Sequence, residues 1–211
     1  MDPAPSGRAN NAGRGAPLNA TERDLAAAWN ACAKLLSLAF EIIMADQDIT
    51  LRLARASEAP VIAAMSRDLI ETGLGWSWDS ERVARAIRAR DTTALVACDR
   101  MRVAGFAIMH FGDEHAHLNL LAVRPSHQRQ GIGRCMVNWL IESALVAGIA
   151  TVTLELRTAN TAARRFYQSL GFADATHIPG YYRGRETALR TSRALRQLNI
   201  ELPRWSMPSQ G

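Results

Sequence analysis

The sequence predicts an α/β (α+β) domain with a mixed, mostly antiparallel central sheet flanked by helices. Two strand-like runs, 93–98 and 103–111, are joined by a short Asp99-Arg100 turn, which indicates an antiparallel hairpin. Strand-like and helix-like runs then alternate from residue 116 to residue 170. Hydrophobic residues form 48% of the 211-residue chain, an ordinary fraction for one globular domain with an appendage.

The segment before this domain predicts a disordered start followed by one helix. Residues 1–20 are rich in Ala, Gly, Asn and Pro without apolar periodicity, and we expect them to be disordered. Residues 21–45 have apolar residues at helical spacing and predict an amphipathic helix. Lys34 and Glu41 interrupt it, so it lacks the run of about 18 uncharged apolar residues that a membrane span needs.

Residues 49–195 carry the pattern of the domain, and 196–211 predict a loose C-terminal tail. Because the pattern begins just after Met44, two interpretations of the preceding helix are open. Either Met44 is the native start and the helix is not in the native product, or the helix is a genuine appendage.

The domain itself is predicted to hold six strands and four helices. The predicted strands cover 50–54, 93–98, 103–111, 116–123, 151–157 and 187–194. The predicted helices cover 57–71, 79–90, 135–147 and 161–170, the second of them capped by Asp79 or Ser80.

Charge and cysteine content exclude several classes of protein. The formal net charge is +5, but the arginines that carry it are scattered among acidic residues, so the sequence predicts no nucleic-acid surface. Cys32, Cys98 and Cys135 are too few and too far apart for a zinc site or a disulfide framework. We expect no metal and a reducing, cytoplasmic compartment.

A glycine-containing turn at residues 128–134 is the strongest functional signal. It lies between a strand-like run and a helix-like run, where glycine lets the backbone approach a ligand closely. The first amides of a helix are unpaired and lie at the positive end of its dipole, which favours a phosphate or pyrophosphate. The candidate phosphate-binding residues of the turn are Gln128, Arg129, Gln130, Gly131, Gly133 and Arg134.

A second segment, 160–172, reads Asn-Thr-Ala-Ala-Arg-Arg-Phe-Tyr-Gln-Ser-Leu-Gly-Phe. Together with the glycine turn it resembles the GNAT superfamily of acyl-CoA-dependent N-acetyltransferases. The turn matches the pattern Gln/Arg-x-x-Gly-x-Gly/Ala, and the second segment matches Asn-x-x-Ala-x-x-x-Tyr-x-x-x-Gly-Phe. The resemblance extends over roughly residues 49–195 and implies a GNAT fold.

The resemblance implies acetyl-CoA as cosubstrate. The backbone amides of Gln130, Gly131, Gly133 and Arg134 would hold its pyrophosphate. The strand ending in Leu121, Ala122 and Val123 would diverge from residues 152–156 and pair with the pantetheine arm. Asn160, Ala163, Arg164 and Tyr167 share one helical face by their spacing, and this face would contact the cosubstrate, with Phe166 and Leu170 turned toward the core.

Three residues are candidates for proton transfer. Tyr167 matches the family's general acid, since a phenol can donate a proton to a departing thiolate. Glu155 matches the base of RimI-like protein N-terminal acetyltransferases, although an ion pair with a nearby arginine is an equally simple role for it. His117, on the preceding strand, is the alternative base.

Aromatic residues are the candidates for binding the acceptor amine. Trp76 and Trp78 lie between the first two predicted helices of the domain, and Tyr181 and Tyr182 precede the last predicted strand. The tyrosine pair resembles RimI-like enzymes, which favours a peptide N terminus, whereas the Trp-Ser-Trp sequence does not belong to that pattern. A small-molecule amine is the alternative acceptor, and a non-catalytic acyl-CoA-binding sensor is the alternative class.

Overall fold

A computed structural model describes residues 42–44 and 48–196. The predicted disordered segment, all but the end of the predicted helix 21–45, and nearly all of the predicted tail lie outside the described residues. Ile42–Met44, the end of that helix in our prediction, is a β-strand, so a helix reaching residue 45 is wrong.

Eight strands and four α-helices make up the described part of the chain. In chain order they are β1 (Ile42–Met44), β2 (Ile49–Leu53), α1 (Ala59–Leu69), α2 (Ser80–Arg88), β3 (Thr92–Asp99), β4 (Arg102–Phe111), β5 (His115–Val123), α3 (Ile132–Val146), β6 (Thr151–Arg157), α4 (Thr161–Gln168), β7 (Ala173–Tyr182) and β8 (Glu186–Ala194). Short 3-10 turns occupy Ala56–Glu58 and Pro125–His127.

The strands form one sheet in the order β1-β2-β3-β4-β5-β6-β8-β7. All neighbouring strands are antiparallel except β5 and β6, which run parallel across the α3 connection. The predicted mixed, mostly antiparallel sheet is therefore confirmed. Helices cover both faces: α1 and α2 pack over one apolar cluster, and α3 covers the other.

Strand β7 was not predicted. Most of its side chains are exposed, and it contains Pro179 and Gly180, so it lacks the alternation of apolar and polar residues that indicates a strand. It is nevertheless an edge strand that pairs with β8. Tyr181 and Tyr182 therefore lie at the end of a strand and not in a loop.

Strand β5 changes the face it presents at a bulge. Met109 of β4 pairs with Leu118 while Ile108 pairs with Leu120, so Asn119 is extra in β5. Leu118 packs in the cluster under α3, whereas Leu120 packs in the cluster under α1 and α2. His117 and Leu121 consequently lie on opposite faces of the sheet, although their numbering alone puts them on one face.

The sheet opens between its two parallel strands. β5 pairs with β6 only at three positions, the last of which joins His117 to Thr153. Beyond that point the two strands separate, as the resemblance implied, and backbone groups of both strands are left without a partner in the sheet. Both candidate binding regions lie at this opening.

Candidate active site

The glycine turn leads directly into α3, which begins at Ile132, three residues earlier than predicted. Gly131 precedes it with a φ of 82°, a left-handed conformation that favours glycine. Among the amides of 129–135, the first to donate to a backbone carbonyl is that of Cys135, 2.9 Å from the Gly131 oxygen. The amides of the turn are thus available to an anionic ligand.

A cleft of about 830 Å³ runs from this turn to the gap beside β5. Its positively charged members include Arg129, Arg134 and Arg165, which suits a ligand with several phosphates. The predicted cosubstrate residues on its wall are Leu121, Ala122, Val123, Gln128, Arg129, Gly131, Gly133, Arg134, Ala163 and Tyr167.

Gln130, Asn160 and Arg164 were predicted to contact the cosubstrate but do not line this cleft. The side chain of Gln130 donates to the Ser126 carbonyl at 3.3 Å. The side-chain oxygen of Asn160 accepts from the Ala163 amide at 3.0 Å and caps α4. Asn160 therefore has a structural role that the motif did not indicate.

The faces of α4 also differ from the prediction. Arg164 forms an ion pair with Asp174 of β7 and does not line the cleft. Phe166, predicted to face the core, lines the cleft beside Gly133, where an added Cβ would lie 3.4 Å from the ring. The prediction for Phe166 is confirmed in part, because the side chain packs against the core cluster and also lines the cleft.

Tyr167 lies at the inner end of the cleft with a largely buried side chain. Its ring makes edge contacts with Phe166 and Phe172. Burial raises the pKa of the phenol well above its ordinary value, and Tyr182 adds to this effect. Among the described residues the hydroxyl has no hydrogen-bond partner, and its oxygen keeps some solvent-accessible surface. It is therefore a neutral donor free to serve a ligand.

A second pocket of about 390 Å³ lies on the other face of the sheet. The α1–α2 loop, β5, β6 and the β7–β8 turn form its walls. The predicted residues that line it are His117, Glu155, Trp78, Tyr181 and Tyr182. Trp76 does not line it: the residue is 46% exposed, and its indole nitrogen donates to the Trp78 carbonyl at 2.9 Å.

Glu155 is almost fully buried and binds three side chains. One carboxylate oxygen lies 2.6 Å from Nε of Arg190, and the other lies 3.0 Å from Nε2 of His117 and 3.3 Å from the Tyr181 hydroxyl. Burial alone would raise the pKa of Glu155, but the bonds to His117 and Arg190 outweigh it and lower the pKa to about 2. Glu155 is thus a stable anion and a weak base.

The Nδ1 atom of His117 lies 3.1 Å from Oγ1 of Thr153. Glu155 and Thr153 therefore hold the two ring nitrogens, which fixes the orientation of the imidazole. The ring itself remains one-third exposed, so the pair formed by His117 and Glu155 is open to the second pocket.

Glu71 and Arg190 were not predicted from the sequence. Glu71 lines the pocket and binds the loop that carries the two tryptophans, and Arg190 forms an ion pair with Glu155 from outside the lining. Arg190 is the cross-strand partner of Glu155 in the β6–β8 pairing. Predicting this ion pair would require the register between β6 and β8, which lie about 30 residues apart in the chain. A single sequence does not reveal that register.

Among the described residues no group of three or more His, Cys, Asp or Glu side chains has the arrangement of a metal site. Cys98 and Cys135 are both free thiols. Within 42–44 and 48–196, no helix has the length and apolar character to cross a membrane.

Comparison with known proteins gives a family match. The family model described as Acetyltransferase (GNAT) family matches residues 63–172, which include the glycine turn and α4. The [ribosomal protein bS18]-alanine N-acetyltransferase of Escherichia coli (strain K12) is 43% identical over 91 residues, or 42% of this chain, and the chain spans 62% of its length. The protein of the same name from Salmonella typhimurium (strain LT2) is 36% identical over 136 residues, which cover 57% of this chain and 90% of that protein.

Among solved structures, the ribosomal-protein-S18-alanine N-acetyltransferase from Escherichia coli superposes with a TM-score of 0.63 at 28% identity, covering 73% of this chain and 98% of that one. Ard1 from Thermoplasma volcanium also gives a TM-score of 0.63, at 22% identity, and covers 71% of this chain and 99% of that one. At that identity the second likeness concerns the fold alone.

Proposed function

The chain belongs to the acetyltransferase (GNAT) family, and we propose that it transfers an acetyl group from acetyl-CoA to the α-amine of a protein N terminus. One observation carries the proposal. His117 of the second pocket and Leu121 of the cleft lie on one strand, on either side of the bulge in β5, so the two sites meet where β5 separates from β6.

The cleft fits acetyl-CoA in charge and in shape. The free amides after Arg129 and the arginines on the wall suit the phosphates. The unpaired end of β5 at Leu121–Val123 offers backbone groups to the amides of the pantetheine arm. Such contacts would carry the thioester to Tyr167.

The transfer needs one bond to form and one to break. The neutral nitrogen of the acceptor attacks the thioester carbon, the carbon–sulfur bond breaks, and the thiolate leaves. Tyr167 donates its proton to the sulfur as the bond breaks. The raised pKa of the phenol keeps that proton in place until the thiolate develops.

The amine must lose a proton in the same reaction. The low pKa of Glu155 makes it a poor acceptor, but its fixed negative charge attracts an ammonium group and orients His117. We assign the proton to His117, directly or through a water, with Glu155 stabilising the imidazolium that results.

An α-amine suits such a modest base. With a pKa near 8 it is roughly one-tenth neutral at pH 7, whereas a lysine side chain is neutral in about one molecule in two thousand. The relatives that the chain matches are named as alanine N-acetyltransferases of a ribosomal protein, which supports a protein N terminus as acceptor.

The test is an acceptor panel with acetyl-CoA and the full chain. Free thiol and the mass of each acceptor are measured for peptides with a free N terminus, the same peptides with a blocked N terminus and an internal lysine, and small polyamines. We expect acetylation of free N termini only. Transfer to the small amines alone would favour the aromatic pocket as a site for those amines, and binding of acetyl-CoA without any release would favour a sensor.

A further inference from the structure

Two arginines line the second pocket, and two others contact residues that line it; only the latter two have a carboxylate partner. Arg190 pairs with Glu155 at 2.6 Å, and Arg157 pairs with Glu186 at 3.7 Å. Arg82 and Arg183 line the pocket and form no ion pair with any described residue. Their charges are therefore available to a ligand.

Arg183 reaches the loop on the opposite side of the pocket. It lies in the β7–β8 turn with a φ of 51°, and its guanidinium lies against Gly75 of that loop. A Cβ at Gly75 would lie 2.3 Å from the Cζ atom of Arg183, so this position of the guanidinium requires glycine there. The guanidinium thus extends across the pocket from the β7–β8 turn.

Arg82 is held on the same loop. Its Cζ atom lies 4.3 Å from the centre of the Trp78 ring, and one nitrogen donates to the Ser77 carbonyl at 3.3 Å. A guanidinium has five N–H donors, so this single bond leaves most of them unused. Both guanidiniums thus contact the loop before α2, Arg183 at Gly75 and Arg82 at Ser77, and both line the same pocket.

Two carboxylates also line the pocket, but each is engaged by other groups. Glu71 accepts from Ser77 and Trp78, and Glu155 accepts from Arg190 and His117. Neither forms an ion pair with Arg82 or Arg183, so an incoming anion would be the first ion-pair partner of each guanidinium among the described residues. A carboxylate fits best, since the planar fork of arginine matches its two oxygens.

We propose that Arg82 and Arg183 bind an acidic side chain of the acceptor, so that the protein selects N termini with Asp or Glu at the second or third residue. The proposal rests on the proposed function. A pocket of about 390 Å³ is roughly 7 Å across, and an extended chain advances about 3.5 Å per residue, so the pocket spans about two residues of a peptide. An acidic side chain one or two residues beyond the reacting amine therefore reaches the wall formed by the two arginines.

The experiment compares peptides that begin with Ala and differ only at residue two or three, which is Glu, Gln or Arg. The kcat/KM values for two peptides are measured on the same enzyme preparation and divided. The concentration of folded enzyme cancels in this ratio, so partial unfolding of a variant does not affect it. We expect a preference for Glu over Gln of about tenfold or more, weakened by salt. Arg183→Ala and Arg82→Ala should each reduce the ratio, and Arg183→Glu should turn it toward Arg.

The matched control is Arg185→Ala, which removes an exposed arginine from the same turn that does not line the pocket. It should leave the ratio unchanged. Acetylation of all peptides at equal rates would overturn the binding of an acidic side chain by Arg82 and Arg183. A preference for Glu over Gln that survives in the double variant R82A/R183A would do the same, and both results leave the proposed function intact. Transfer to small amines but to no peptide would overturn both proposals.

Discussion

The carboxylate of Glu71 accepts a hydrogen bond from the backbone amide of Trp78 at 3.1 Å. The same carboxylate accepts from the Ser77 amide at 2.8 Å, from the Ser77 hydroxyl, and from the Ser66 hydroxyl at 3.2 Å. A buried carboxylate with this many donors fixes the loop that carries Trp78 and gives the second pocket its wall.

Glu71→Gln is expected to raise KM for the peptide acceptor about tenfold, with KM for acetyl-CoA unchanged. A glutamine has one acceptor oxygen and cannot serve both amides, so the loop loosens, and the free energy of unfolding falls by about 1 to 3 kcal/mol. Steady-state kinetics with each substrate varied separately checks this. Ser77→Ala keeps the carboxylate and should have a smaller effect, and equal rises in both KM values would contradict the assignment.

Tyr167→Phe is expected to lower kcat by about a hundredfold or more while acetyl-CoA binds as before. The hydroxyl has no partner among the described residues, so its removal should leave the unfolding temperature almost unchanged. Tyr181→Phe removes a phenol from the second pocket and serves as the comparison. Wild-type turnover of Tyr167→Phe across the pH range would exclude the phenol as the acid.

Glu155→Gln and His117→Ala should differ in their pH–rate profiles. With a pKa of about 2, Glu155 is ionised throughout the neutral range, so Glu155→Gln should lower kcat/KM evenly, by about ten- to a hundredfold. His117→Ala removes the proposed proton acceptor itself, so it should change the shape of the profile. A changed shape in Glu155→Gln with an unchanged one in His117→Ala would make the carboxylate the base.

Gly131→Ala should weaken the binding of coenzyme A about tenfold. A side chain at a φ of 82° is strained by about 1 to 2 kcal/mol and shifts the amides of the turn. Gly148→Ala places the same substitution at a φ of 83° beyond the other end of α3, away from the cleft, and should lose stability but not affinity. Calorimetry with coenzyme A separates the two, and equal affinity losses would argue against the turn as the phosphate site.

The ion pairs of Glu155 should make folding sensitive to acid. Its pKa is about 2 in the folded protein and 4.5 ordinarily, so the carboxylate stabilises the fold above pH 5 and loses this effect as the pH falls toward 2. Between pH 7 and pH 3 the loss amounts to about 2 kcal/mol. Denaturant unfolding at pH 7 and pH 3 should show a smaller pH difference for Glu155→Gln than for wild type. Glu142→Gln, at an exposed carboxylate, should behave like wild type.

Strand β6 shows what the sequence could predict. Its strict alternation, with Val152, Leu154 and Leu156 buried, gave both its ends and the shared face of Thr153, Glu155 and Arg157. Strand β7 has no such alternation, because as an edge strand it buries little. The pairing of Glu155 with Arg190 depends on a register between distant strands, and local pattern carries no information about it.

Some features of the candidate site could likewise be predicted from the sequence, and others could not. The glycine turn and Tyr167 are local motifs and could be found from one sequence. The bulge at Asn119 cannot be recognised in the sequence, because Leu118 and Leu120 on either side of it are both apolar and would fit either face of the sheet. The contact of Phe166 with the cleft could not be predicted, because helical spacing separates the faces of a helix but does not say which neighbours each face meets.

The bulge in β5 has a consequence for how two molecules could be brought together. One continuous strand presents His117 to the second pocket and, four residues later, Leu121 to the cleft on the opposite face. The separation of the two reactants is thereby set by covalent geometry inside a sheet and does not depend on the closure of a loop. Deleting Asn119 would exchange the faces of every residue before it, turning Leu118 toward the second pocket and His117 into the apolar core.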